Sequence, residues 1–420
     1  MKLRSLYPPI RVLCGVISIA VLGCGVLWTL RLGYADHLAH TDSLANVKHA
    51  IELAPGNAAY YARWAAINDV VGNDPGASTT ALESAVALNP RMSFSWMDLG
   101  LRAEAVGNLQ YAERCLLQAA RVDKQYDPRW TLLNYYFRRG DTENFWVWAR
   151  SASALVYGDG LSLFRLYWRV TSDSDLILRK AIPDEQAVLT RYLAFLLTDN
   201  HLDAIEPAAA MALKRARPED LAVLLWACDR LLDSNQPRPA LRIWSALCDQ
   251  RLIGYQAPDP ERGASLTNEE FGRTPLGHGF DWRLPRPVGV SVARITSLST
   301  LRVDFSGKQP EDCEIISQFL PVMPGADYRL RFRYRTSNIP ERTNLRWRVF
   351  DANTGAEIAP QSSFLASESP KDEEIVFSAP KSTGLIRLAL AYHRALGTTR
   401  IEGSIWLQHL KLEFTSRRQG

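Results

Sequence analysis

Residues 93–122 read SFSWMDLGLRAEAVGNLQYAERCLLQAARV, and this stretch decides the fold of the first half of the chain. From Trp96 onward, large and small residues recur at helical spacings. These positions are Leu99, Gly100, Ala112, Leu116 and Ala119. Small residues allow two paired helices to approach closely, and large residues fill the gaps between them. Trp130 follows Trp96 by 34 residues, and a period of this length indicates an array of helical pairs.

Weaker copies of this pattern lie on both sides of it. Pro55 and Pro90 lie 35 residues apart, each at the end of a predicted second helix. The copy that begins at Trp130 departs from the pattern, because Asn134 replaces a small residue and Trp146 takes a later alanine position. Further paired amphipathic helices are predicted at 221–232 and 240–248.

These spacings resemble the tetratricopeptide repeat, and we expect a solenoid of such repeats over residues 36–255. The resemblance implies a surface that holds a peptide or a partner protein. Most aromatic residues at helical spacing are expected to pack between helices, whereas four residues of the third copy are the better surface candidates. These candidate protein-binding residues are Tyr135, Tyr136, Arg138 and Arg139.

An uncharged run from Val12 to Leu30 precedes the repeats. Its nineteen residues give a helix of roughly 28 Å, close to the ~30 Å hydrocarbon core of a membrane. Three basic residues precede the run, whereas only Arg31 immediately follows it. Those three are Lys2, Arg4 and Arg11. The positive-inside rule therefore predicts an anchor at residues 1–35, with the N-terminus in the cytoplasm and everything after it outside.

Two alternative interpretations of this segment stay open. A cleaved signal peptide has a shorter apolar run of about 7–15 residues and a small-residue cleavage site, which this run does not clearly show. Residues 21–24, VLGC, resemble a bacterial lipoprotein box, in which Cys24 is lipidated after cleavage. All three interpretations export the rest of the chain.

The composition changes after Leu252. Residues 256–279 are rich in proline, glycine and charge, and they predict a linker over 256–273. Beyond it, short alternating segments separated by turns predict an antiparallel β-sandwich over 274–415, followed by a tail at 416–420. The predicted fold class is therefore multidomain α + β, with an N-terminal transmembrane helix, a helical solenoid and a C-terminal sandwich.

The motif order in this second half resembles jelly-roll carbohydrate-binding modules. The motifs run from Phe280-Asp281-Trp282 through 318–322 and Pro324-Gly325 to a closing segment at 403–412. Repeat scaffolds ahead of such a domain occur among bacterial proteins of exopolysaccharide synthesis and export. The resemblance implies an inner-membrane adaptor that joins envelope proteins to glycan, and the alternative is an interaction scaffold whose sandwich binds no sugar.

Arginines alternate with apolar residues along the predicted strands. If these strands pair, their arginines share one sheet face that is suited to carboxylate or phosphate groups, and an anionic polysaccharide becomes the expected ligand. The candidate residues are Arg331, Arg333, Arg346, Arg348, Arg387 and His393. Trp282 is the candidate for stacking on a neutral sugar. The alternative is a solvated face whose arginines cover apolar neighbours.

Patterns of catalysis are missing from the sequence: it contains no phosphate-binding loop, HExxH zinc pattern, nucleophile elbow or dinucleotide fingerprint. We therefore expect no enzyme activity, cofactor or metal site. His37 and His40 with their neighbouring aspartates are interpreted as a solvated segment rather than metal ligands. Cys228 and Cys248 are expected to be buried thiols, with a disulfide between them as the alternative. A net charge of +4 is too small to indicate a nucleic-acid partner.

Overall fold

The computed structural model describes residues 8–263, 265–359 and 362–417, and the chain divides into two compact units, Met1–Tyr157 and Gly158–Gly420. Helices precede two antiparallel sheets, so the predicted fold class is confirmed. Lys2 and Arg4, which entered the topology prediction, lie outside the described residues, as does the end of the predicted tail.

The first unit consists of antiparallel helices joined by short turns. The helices are α1 Pro8–Ala39, α2 Leu44–Leu53, α3 Ala58–Ile67, α4 Pro75–Leu88, α5 Ser93–Ala105, α6 Leu109–Val122, α7 Tyr126–Arg139 and α8 Thr142–Ser153. A π-helical turn, Asn68–Gly72, extends α3. Side chains of Asn57, Asp74, Asn108 and Asp141 accept hydrogen bonds from backbone N–H groups of the first turn and so fix four helix starts.

The seam between α5 and α6 has the packing that the repeat pattern predicts. Ala112 and Leu116 are completely buried, and Gly100 lies opposite them. A Cβ atom on Gly100 would lie 2.6 Å from Leu116 Cδ2, closer than any real carbon contact. The small residue at this position is therefore what allows the two helices to pack.

One hydrogen bond recurs in successive repeats. Trp96 Nε1 donates to the carbonyl of Pro90 over 2.9 Å, and the Tyr61 hydroxyl donates to the carbonyl of Pro55 over 3.2 Å. Each aromatic side chain thus ties the start of its helix to the preceding turn. In the third copy Asn134, at the position equivalent to Gly100, donates its Nδ2 to the Trp130 carbonyl of its own helix over 2.8 Å.

Six further helices open the second unit. They are α9 Leu161–Val170, α10 Ser174–Lys180, α11 Gln186–Thr198, α12 Leu202–Leu213, α13 Leu221–Asp233 and α14 Pro237–Asp249. Contacts between residues 34 positions apart persist here: Arg165 pairs with Asp199, and Gln186 Nε2 donates to Asp220 Oδ2 over 2.7 Å. The repeat period therefore continues where its sequence pattern has faded.

The sandwich has a five-stranded sheet, ordered β1-β2-β8-β4-β6, and a three-stranded sheet, ordered β3-β7-β5. The strands are β1 Val290–Ile295, β2 Thr300–Ser306, β3 Asp312–Pro321, β4 Ala326–Ser337, β5 Leu345–Asp351, β6 Lys371–Ser378, β7 Leu385–His393 and β8 Glu402–Arg417. Alternate residues of both sheets point inward and form one apolar core around Trp282, Tyr328 and Trp347.

The segment predicted as a linker, 256–273, has no helix or strand among its described residues, but it packs on the sandwich. Ser265 is buried, and its hydroxyl donates to the Pro321 carbonyl over 2.6 Å. Gln318 Nε2 donates to the Thr267 carbonyl over 2.8 Å, and Phe271 joins the sandwich core. Much of this segment therefore belongs to the fold of the β-domain.

Helix α1 is, among the described residues, the one helix long and apolar enough to cross a membrane. Its apolar side chains between Val12 and Leu30 are exposed to solvent. By length and composition it is a membrane span or a signal sequence. Its last turns differ, because Ala35, Leu38 and Ala39 are buried against α2 and α3.

Candidate functional site

Two of the candidate protein-binding residues lie in the core of the helical array. Tyr135 and Tyr136 are buried, so the expectation that they lie at the surface is wrong. The Tyr135 hydroxyl donates to the Leu109 carbonyl over 2.9 Å, and the Tyr136 hydroxyl donates to Glu113 Oε1 over 2.7 Å. Burial, together with the hydrogen bond to Glu113, raises the pKa of Tyr136. Both tyrosines therefore hold α7 on α6 rather than contact a partner.

The two arginines of that set have partners within the array. Arg138 makes a bidentate pair with Glu104, at 2.7 and 2.6 Å, and Arg139 lies with its guanidinium carbon 5.7 Å from the centre of the Tyr135 ring. One repeat earlier, Arg102 pairs with Asp69 and with Asp98. This helix surface is thus a row of ion pairs with little net charge.

An apolar pocket of about 420 Å³ lies where α4 begins, α5 ends and α6 begins. Its lining residues include Pro75, Leu99, Ala103, Val106 and Tyr111. Val106 is 81% exposed at its rim, and burial raises the pKa of Tyr111 to about 12. Sequence reasoning missed this pocket, although a valine at a solvent-exposed turn was a usable signal for it.

The arginines predicted to share one face of the sandwich lie on two different sheets. Arg331 and Arg333 are on β4 of the five-stranded sheet, whereas β5 and β7 belong to the three-stranded sheet. Because the sheets pack face to face, their outward residues point in opposite directions. The expectation of one continuous basic face is therefore wrong.

Each of the predicted basic residues also has an acidic neighbour. The pairs are Arg331 with Glu374 and Glu413, Arg333 with Asp372, Arg346 and Arg348 with Glu357, Arg387 with Glu314, and His393 with Asp312. The hydrogen bond from Arg333 lowers the pKa of Asp372. Arg346 and Arg348 of β5 lie opposite the buried residues Ala391 and Ala389 of β7. This agrees with the alternative interpretation, in which the arginines cover apolar neighbours.

Trp282 is completely buried and offers no stacking surface, so its assignment as a sugar platform is wrong. Its indole Nε1 donates to the Asn268 carbonyl over 3.2 Å. Its ring centre lies 5.4 Å from that of Phe271 and 6.0 Å from that of Trp347. It anchors segment 256–273 to the sandwich.

Trp406, unlike Trp282, is partly exposed at the surface of the sandwich. It is half-buried on the outer face of β8, and the register places Arg302 of β2 and Arg335 of β4 directly beside it. The guanidinium carbons of these arginines lie 5.3 and 4.4 Å from the Trp406 ring. Arg302 also pairs with Asp304 over 2.8 Å.

Arg335 differs from the other arginines of β4. It is exposed, and the described residues place no carboxylate within ion-pair distance of it. A charged guanidinium stacked on a half-exposed indole combines an anion-binding group with an aromatic edge. The alternation along β8, in which Trp406 lies between inward Ile405 and Leu407, was the sequence signal for this site.

The titratable residues Asp281 and His278, close to Trp282 in sequence, have structural partners. Asp281 is buried and accepts hydrogen bonds from the Tyr255 hydroxyl, over 2.8 Å, and from the Leu276 N–H, and burial raises its pKa. His278 Nδ1 lies 2.5 Å from Asp229 Oδ2. Over the described ranges, no group of three or more metal-binding side chains occurs. Cys228 and Cys248 are free thiols, and burial raises the pKa of Cys248 to about 12.

No family model and no curated protein sequence matches the chain. Among solved structures, it is similar to YrrB, a tetratricopeptide-repeat protein with an unusual peptide-binding site, at 12% identity and a TM-score of 0.26, over 49% of this chain and 93% of that one. A family 4 carbohydrate-binding module is similar at 9% identity and a TM-score of 0.25, over 32% and 88%. Yeast Tom70 is similar at 14% identity and a TM-score of 0.28, over 53% of this chain and 47% of that one.

Proposed function

We propose that the chain is a non-catalytic scaffold of the bacterial envelope, held in the inner membrane by α1 with its N-terminus in the cytoplasm. One observation supports this above all: the apolar run and the first repeat helix are one uninterrupted helix, Pro8–Ala39. The buried face of its last turns is part of the repeat array. The continuity of the apolar run with this repeat helix favours a retained anchor.

The scaffold presents the apolar pocket beside Val106 to a protein partner. An apolar concavity next to the Arg102 ion pairs provides both burial and orientation for a peptide segment. A photocrosslinker introduced at Val106 in the producing cells should capture one protein species. The matched control is Val147 on α8, which is 60% exposed and lies outside the pocket lining. Equal capture at both positions would contradict a specific site.

The β-domain binds carboxylated glycan, as in exopolysaccharide assembly, and the contact is Arg335 stacked on Trp406. No carboxylate of the described residues lies within ion-pair distance of Arg335, so its guanidinium is available to a ligand, whereas Arg333 is already paired with Asp372. A single exposed contact is weak, since charges are screened within about 8 Å at physiological ionic strength, so useful affinity needs a repeating polymer.

The anchor is tested by reporter fusions at Gly33 and Gly420. Both should be active only in the export compartment, because α1 holds the N-terminus in the cytoplasm. Activity of both in the cytoplasm would reject this topology. Loss of the first 23 residues with a lipid on Cys24 would establish the lipoprotein alternative instead.

The glycan contact is tested by calorimetry of the whole chain with an acidic exopolysaccharide at two salt concentrations. Arg335→Ser should abolish most of the binding heat, whereas the matched variant Arg333→Ser should retain it. Wild-type binding should weaken at the higher salt concentration. Absence of binding by the folded wild type would leave the alternative, a scaffold whose sandwich binds no sugar.

A further inference from the structure

The first helices of the repeat array have a fixed direction relative to the span. Residues 12–30 of α1 form the apolar run, and the same helix continues outward to Ala39. Helix α2 returns along it, because Arg31 Nε donates to the Leu53 carbonyl over 2.8 Å. Arg31 is the first charge after the apolar run, so the end of α2 lies at the level where the span leaves the hydrocarbon.

The next helices alternate in the same way. Helix α3 runs outward, since Tyr60 contacts Asp36 and Arg63 pairs with Asp42 farther from the span. Helix α4 runs back beside it, and its Ser78 hydroxyl donates to the Ala65 carbonyl. The turns 54–57 and 89–92 therefore lie at the same edge of the first unit, and this is the edge at which the span emerges.

This edge exposes side chains suited to a lipid interface. Phe94 is 68% exposed and Leu88 is 46% exposed, and both flank the exposed Arg91 at the turn between α4 and α5. On α1 itself Trp28 and Tyr34 are 58% and 54% exposed on either side of Arg31. Aromatic, aliphatic and basic residues at one level are typical of the interface between lipid and water.

The opposite edge has a different character. It exposes Val70 and Val71 together with Asp42 and Asp74 at its turns, and the acidic side chains are repelled by anionic headgroups. The apolar pocket beside Val106 also lies at that edge, where α5 ends. Helix α5 has 13 residues, so its length separates the two edges by about 20 Å.

We infer that the edge formed by turns 54–57 and 89–92 lies on the lipid headgroups of the outward-facing leaflet, with Phe94, Leu88 and Arg91 in the interface. This rests on the proposed membrane span of α1. Because α1 is one continuous helix, the array can move away from the membrane surface only if the helix bends or breaks between Arg31 and Ala35. The partner pocket is consequently held about 20 Å above the membrane surface.

The test places p-benzoylphenylalanine at Phe94, Val106 or Ile17 of the full chain in nanodiscs of phosphatidylglycerol and phosphatidylcholine. After illumination, lipid adducts are measured by mass spectrometry. Ile17, which is 53% exposed in the apolar run, and Phe94 should both give adducts, and Val106 should give at least about tenfold fewer. Adding Arg91→Ser should lower the Phe94 yield on phosphatidylglycerol alone.

The outcomes separate the inference from the proposed function. Adducts at Ile17 but none at Phe94 would overturn the membrane-facing edge and leave the span intact. Equal yields at Phe94 and Val106 would overturn it as well, because both edges would then reach lipid. No adducts at Ile17 would remove the span itself, and the inference with it.

Discussion

The contact between α5 and α6 and the contact between α14 and the sandwich both depend on a glycine, but they are built differently. A Cβ on Gly100 would lie 2.6 Å from Leu116 Cδ2, and one on Gly279 would lie 2.4 Å from Trp244 Cε3. Gly100 has ordinary helical backbone, whereas Gly279 has φ +56°, a left-handed conformation that side chains disfavour. Position 279 therefore requires glycine both because Trp244 leaves no space for a side chain and because the backbone is left-handed.

The polar contacts differ as well. Asp229 of α13 accepts from the Gly279 N–H over 2.7 Å, from Arg283 Nη2 over 2.7 Å, and lies 2.5 Å from His278 Nδ1. The seam between α5 and α6 has an apolar core instead, with Ala112 and Leu116 completely buried. The two helices of this repeat are joined by shape, whereas α13 and the sandwich are joined by directional hydrogen bonds.

The largest expected effect is that of Gly279→Val. A side chain there meets Trp244 and must also adopt the left-handed backbone, so the free energy of unfolding should fall by about 3 kcal/mol or more. The matched control is Gly277→Val. Gly277 also has a left-handed backbone, with φ +76°, but no neighbour within 4 Å, so this substitution should lose only the free energy that the strained backbone costs. Thermal unfolding measures both, and equal losses would show that the Trp244 contact is unimportant.

Next comes Asp229→Ala, which leaves the Gly279 N–H and Arg283 Nη2 without this acceptor, while Arg283 Nη1 keeps its bond to the Gly279 carbonyl. Loss of these partly buried hydrogen bonds should cost about 2–3 kcal/mol. Hydrogen exchange should quicken in α13, α14 and residues 276–283, and stay unchanged in α5 and α6. Asp249→Ala, at an exposed position on α14, is the control and should change stability by less than about 0.5 kcal/mol.

The reciprocal test is Gly100→Leu or Ala112→Trp. Either change overpacks the seam between α5 and α6 and should cost about 1–3 kcal/mol or more. Faster exchange is then expected in α5 and α6, with no change at the sandwich junction. Ala105→Leu, at an exposed position on the same helix, should be neutral. Unchanged melting of both core variants would show that the repeat register is wrong.

The helical array was predictable because its contacts are local. Leu99, Gly100 and Ala112 lie within one repeat, so their spacing alone places them at one seam. The sandwich was predictable only as a class. Alternation placed Arg333 and Arg348 on outward faces, but strand order decides which faces those are, and β4 pairs with β6 and β8 rather than with β5.

The candidate sites failed for a related reason. Whether an arginine is free to bind depends on residues far away in sequence, as with Arg387 and Glu314 on neighbouring strands. Burial of Trp282 depends in turn on segment 256–273, whose composition indicated a linker although Phe271 packs on that indole. Composition reports chain flexibility, but it does not report which surface a segment covers.

The smallest expected effect concerns the ion pair between Arg138 and Glu104. Glu104 is only 16% exposed, but Arg138 is 45% exposed, so water screens the pair at the arginine, and a double-mutant cycle of Arg138→Gln and Glu104→Gln should give a coupling of less than about 1 kcal/mol. The same cycle on Asp229→Asn and Arg283→Gln should give a larger coupling, because those side chains are only 19% and 22% exposed. Raising the salt to about 1 M, where the Debye length is about 3 Å, should abolish the first coupling and preserve most of the second. Equal couplings, or equal salt dependence, would contradict the distinction between a screened ion pair on the array and the less exposed polar contact at the sandwich junction.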